Sequence, residues 1–75
     1  MKLSFSIHFQ QAVLERGISI DHLKKAIREP DKSHQTFGGR IVARKAVGER
    51  TLEVVYTHGS KNEYRIITAC YILNE

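Results

Sequence analysis

The sequence has a single cysteine and a single proline, no tryptophan, and no apolar run longer than a few residues. One cysteine, Cys70, cannot close an internal disulfide, and the four histidines are too scattered to give metal-ligand spacing with it. Neither a covalent staple, a metal nor a cofactor is therefore expected. Nothing approaches the roughly 20 consecutive apolar residues of a membrane-spanning helix. The opening MKLSFSIHF also lacks the apolar core and small-residue cleavage site of a signal peptide. The expectation is a cytoplasmic protein with no membrane association. No internal repeat, linker or low-complexity stretch breaks the chain.

What is present is ordinary globular composition, 41% hydrophobic and 27% charged. The 75 residues make one domain, 1–75, burying roughly 60% of its unfolded surface. A core of this size supplies about 3–5 kcal/mol, so burial against a partner would add usefully to it. The net charge of +4 is unevenly spread. Residues 1–32 hold six basic and four acidic groups, 33–50 hold four and one, and 51–75 hold two and three. The basic middle segment suits a polyanion, although a patch this small is also what a solvated face looks like.

Leu3–Phe5 reads as a short strand, and Ser6 as the N-cap of a helix from Ile7 to about Arg16. Phe9, Ala12 and Val13 give that helix a core-facing stripe, and Gly17 stops it. Ser19 caps a second helix, with Ile18 and Leu23 as a hydrophobic staple and Ile20, Leu23, Ala26 and Ile27 as its buried face. Pro30 ends it near Arg28. From Ser33 the apolar period drops to two, with turns at Gly38–Gly39, Gly48 and HGSKN. Strands are expected at 33–37, 40–46, TLEVVYT and EYRIITACYIL. The result is an α+β domain: two helices on one face of a twisted antiparallel sheet of about four strands.

Register follows from the turns. The loop 47–50 would set Ala46 opposite Thr51 and Lys45 opposite Leu52, and the loop 58–62 would set Leu52 opposite Thr68. Lys45 and Thr68 would then share a face, with Arg40 and Arg44 on the other.

The blocks "SIHFQQAVLERGIS", "EP", "GRIVARK", "LEVVY" and "IITACY" occur in an order and spacing similar to those of a small family. The chain resembles the domain of unknown function numbered four-two-five-eight, related to RelE-like toxins and the wider barnase, EndoU and colicin nuclease group. The resemblance spans nearly the whole chain. It departs from many relatives at His8-Phe9 and Ala12-Val13, where those have H-A and then R-M. It implies a RelE-like fold, cleavage of RNA without a metal, and a small acidic antitoxin that neutralises the toxin by covering its basic groove.

The chemistry can be stated from the residues. Metal-free RNA cleavage needs help for the 2′-OH attack on phosphorus, stabilisation of the phosphorane, and a proton for the leaving 5′ oxygen. An imidazole, with its ordinary pKa of ~6.5, is the natural proton-transfer group, which singles out His8. Arg16 and Lys45 are candidates to hold phosphate, Thr68 to hydrogen-bond the scissile group, Tyr56 to stack a base or hold phosphate, and Arg40 and Arg44 to bind RNA. On one helix His8 and Arg16 would stand ~12 Å apart along the axis and ~80° around it, fit to flank a nucleotide. Each residue also has a plain structural use: an exposed first-turn histidine, a basic residue at a helix C-terminus, a solvated strand lysine, a branched strand residue. His22, His34 and His58 receive no role. Besides a ribonuclease toxin, a catalytically silent RNA-binding domain and a partner-binding module without nucleic acid fit the same residues.

Overall fold

The computed structural model describes residues 1–73. The chain runs β1 (Lys2–Phe5), α1 (Ile7–Arg16), α2 (Ile20–Arg28), β2 (Lys32–Gln35), a short 3-10 turn at Phe37–Gly39, β3 (Arg40–Val47), β4 (Arg50–His58) and β5 (Glu63–Leu73). The helices begin and end where local chemistry requires. Ser6, in extended conformation, accepts a hydrogen bond from Phe9 N at 3.2 Å, and Ser19 accepts one from His22 N at 3.3 Å. Gly17 takes the left-handed conformation (φ 62°) that turns α1 off, and Ile18 N closes the end onto Val13 O at 3.1 Å.

Among the described residues the sheet has five strands in the order β1-β5-β4-β3-β2. The α+β class is as expected. The sheet is mixed, however, and larger than the four antiparallel strands anticipated, because β1 joins β5 in parallel, with Phe5 beside Ile66. The other pairs are antiparallel. Period-2 alternation then sorts the residues by face. Ala43, Leu52, Val54, Tyr56, Ile66 and Ala69 are buried on one face beneath Phe9 of α1 and Leu23, Ala26 and Ile27 of α2. Ile18 is also buried, whereas Ile20, expected in the core, stays 40% exposed at the first position of α2. No helix is long and apolar enough to cross a membrane among the described residues.

The β3–β4 register matches the sequence reading, with Ala46 opposite Thr51 and Lys45 opposite Leu52. The β4–β5 register does not. Leu52 faces Tyr71, while Thr68 faces Val55. Part of the offset comes from the turn, where Lys61 has φ 51° and Gly59 N bonds Glu63 O at 2.8 Å. The remainder is a β-bulge between Val55 and Tyr56, which sets an extra residue into β5. Lys45 and Thr68 consequently lie on opposite faces of the sheet. Lys45 shares the helix-covered face with Leu52, while Thr68 lies on the face the helices leave open.

Candidate active site

β1 is four residues long and β5 eleven, so β1 runs out at Phe5 while β5 continues past it. There the chain turns through Ser6, whose N–H reaches Ile66 O at 3.5 Å, and α1 takes over the lane beside β5. His8, Ala12 and Arg16, spaced by four, form one stripe of α1. The bulge in β5 sets Ile67 and Thr68 against that stripe. Between them lies an open hollow of about 170 Å³, lined by Ser6, His8, Phe9, Ala12 and Arg16 from α1 and its cap and by Ile67 and Thr68 from β5.

Three of the four residues expected to act on phosphate, His8, Arg16 and Thr68, therefore meet at one place. Arg16 is fixed there by a hydrogen bond from Nη1 to Ala69 O at 3.1 Å. A guanidinium has five N–H donors, so this anchor leaves most of the fork available. His8 and Thr68 are exposed. Together the lining offers an imidazole, a held cation and a hydroxyl around one open space. Among the described residues, no three His, Cys, Asp or Glu side chains gather as a metal site.

The remaining residues sit elsewhere. Lys45, two strands away from β5, pairs with Asp31 at 3.6 Å. Asp31 also accepts the Ala46 N–H at 2.7 Å, and this bond, ahead of the neighbouring Lys45 charge, holds its carboxyl below the usual range despite an opposing desolvation effect. Arg44 lies on the open face in an ion pair with Glu53 at 2.7 Å. Arg40 is exposed at the start of β3 on the same face. Tyr56 is core: it is 6% exposed, its ring meets Tyr64 edge-on at 5.8 Å, and burial, with Tyr64 second, pushes its phenol pKa up. No base can stack on it without opening the core.

Two features escaped sequence reading. Ser6 reads as a cap and nothing more, yet it lines the hollow as well. His22, given no role, bonds the Tyr71 hydroxyl through Nδ1 at 2.9 Å, under an Arg50 guanidinium 4.1 Å from the Tyr71 ring centre. The spacing of 49 residues between His22 and Tyr71 leaves no local signal for that contact.

Fold and hollow together define a small α+β domain whose helical hairpin covers one sheet face and whose first helix forms an open hollow with the bulged β5. The family model described as Domain of unknown function (DUF4258) matches residues 5–71, and the chain belongs to that family. No curated protein and no solved structure matches it.

Proposed function

We propose that this domain is a metal-independent endoribonuclease of the RelE-like toxin type. The observation that carries the reading is the convergence of His8, Arg16 and Thr68 on one hollow from elements 52 or more residues apart in sequence. In the proposed reaction the 2′-OH of a ribose attacks the adjacent phosphorus and loses its proton to neutral His8. The bond to the 5′ oxygen then breaks, and that oxygen takes a proton from water in the open hollow. The products are a 2′,3′-cyclic phosphate and a 5′-hydroxyl. Arg16 holds the non-bridging oxygens as charge builds on the phosphorane. Thr68 donates a hydrogen bond to the same group. Lys45 has no part in this scheme, since Asp31 engages it on the other face.

The partners that go with this reading are RNA as substrate and a small acidic protein as antitoxin, complementary to a chain of net charge +4. The test is incubation of the purified chain with a labelled single-stranded RNA in the presence of a chelator. The expected products carry cyclic phosphate ends, and His8→Ala reduces their rate of formation by 100-fold or more, on the order of a general base. Cleavage that survives His8→Ala undiminished would sink the proposal. RNA binding without any cleavage would leave the chain a silent RNA-binding domain of the same fold.

A further inference from the structure

The face of the sheet that the helices leave open carries a second arrangement, beginning one same-face position from the hollow. Cross-strand register sets Ser4, Arg65, Thr57 and Arg40 in one row across β1, β5, β4 and β3. Arg65 is the nearest preceding open-face residue to Thr68 on β5, so the row adjoins the hollow. The acidic residues of this face are engaged: Glu53 pairs with Arg44 at 2.7 Å and Glu63 lies 3.9 Å from Lys2. Arg40 and Arg65 are both exposed and, among the described residues, neither is in an ion pair. They flank Thr57 at about 10 Å, two strand spacings apart. Beyond Arg40 the row ends at the β2–β3 turn, closed by Thr36 N to Arg40 O at 2.8 Å. That turn presents Phe37, the most exposed large apolar side chain of the described residues at 95%.

We propose that this row is a binding track for single-stranded RNA leading away from the hollow, with Arg65 and Arg40 on successive phosphates and Phe37 stacking a base at the far end. It rests on the ribonuclease reading for the identity of the polymer. Charge favours this occupant, because Arg40 and Arg65 share this face with Lys32, which lies opposite Arg44, and Arg40, Arg65 and Lys32, none in an ion pair among the described residues, attract a polyanion. Chemistry favours it too, since an exposed ring at the end of a cationic row is the pattern of a base-stacking platform. The span from β5 to β2 is about 14 Å, three strand spacings, so the track holds a few nucleotides outside the hollow.

The test uses 2′-O-methyl RNA, which binds but lacks the nucleophile for cleavage. A labelled hexanucleotide and a dinucleotide are titrated by fluorescence anisotropy across a range of salt. Phe37→Ala is expected to weaken hexanucleotide binding about tenfold and to leave the dinucleotide unaffected. Arg40→Ala and Arg65→Ala are each expected to lower the magnitude of the log–log salt slope by about 0.7 for the hexanucleotide. Unchanged thermal unfolding of each variant confirms that these exposed positions act on binding alone. Native hexanucleotide affinity in Phe37→Ala, with native slopes in both arginine variants, would overturn the track and leave Phe37 to a protein partner. The outcome is separable from the cleavage test. Binding that depends on Phe37 in a protein that cuts nothing supports the track and sinks the nuclease, whereas cleavage without that dependence does the reverse.

Discussion

Arg16, in the last turn of α1, donates a hydrogen bond to the backbone carbonyl of Ala69 at 3.1 Å, tying the first helix to a strand 53 residues later. The contact closes one end of the hollow and holds the side chain across the bulged stretch of β5. Arg16→Ala should lower the unfolding free energy by about 1 kcal/mol, the loss of a charged hydrogen bond discounted for partial exposure. Under the proposed function, Arg16→Lys should restore RNA affinity only in part, since an ammonium lacks the fork that would bind carbonyl and phosphate together. Urea titration and binding isotherms on the same preparations check both. Equal RNA affinity in Arg16→Ala and the native chain would remove Arg16 from the site.

Tyr71 ties β5 to the start of α2. Its hydroxyl accepts from Ser19 N at 3.3 Å and meets His22 Nδ1 at 2.9 Å, while its ring packs under Arg50. Tyr71→Phe keeps the ring and its contact with Arg50 but strips both hydrogen bonds from the start of α2. The expected cost is about 1–2 kcal/mol, with faster amide hydrogen exchange at Ser19. A melting temperature within error of the native one would show that water replaces the hydroxyl there at no cost.

Why the sequence is readable at some of these places and opaque at others follows from the range of the forces involved. Helix ends are local matters: Ser6, Gly17 and Ser19 each act within a few residues, and α1 and α2 occupy the spans that the caps predict. The Lys45–Leu52 pairing was legible because a short turn at Gly48 sets it. The Thr68 pairing was not, because the β4–β5 turn closes differently from the expected loop and a bulge adds one residue of slack chosen by packing on both faces, which no residue type announces. The parallel union of β1 with β5 was hidden for a like reason, since its partners lie 61 residues apart. Three of the four residues read as acting on phosphate meet despite the wrong register, because His8 and Arg16 come from one helix and Thr68 from the strand beside it. Lys45, placed by that register alone, does not join them.

Gly17 offers a clean measure of backbone conformation without packing. Its φ of 62° lies in the left-handed region, and a Cβ added there would meet nothing within 4 Å. Gly17→Ala should therefore destabilise the fold by about 1 kcal/mol through strain alone. Gly17→Asn should recover part of this, since asparagine tolerates the left-handed region. Chemical denaturation of the two variants checks the order. Alanine equal to glycine would mean that α1 ends differently in solution.

Asp31 makes stability depend on pH in a direction fixed by its surroundings. The Ala46 N–H at 2.7 Å and the Lys45 ammonium both favour the carboxylate, so its pKa in the folded chain lies below the unfolded value. Such a group stabilises the fold above the unfolded pKa, and its contribution disappears as pH falls through the lowered folded value. Native protein should thus exceed Asp31→Ala in urea midpoint by a constant margin at neutral pH. The margin should close only in acid, below the ordinary carboxylate range. Salt separates the two causes: the Lys45 pair, with Asp31 half exposed, is screened, whereas the bond to the Ala46 N–H persists. Part of the margin should therefore survive 1 M sodium chloride. A margin that widened on acidification would mean that Asp31 is held protonated in the fold, contrary to the contacts it makes.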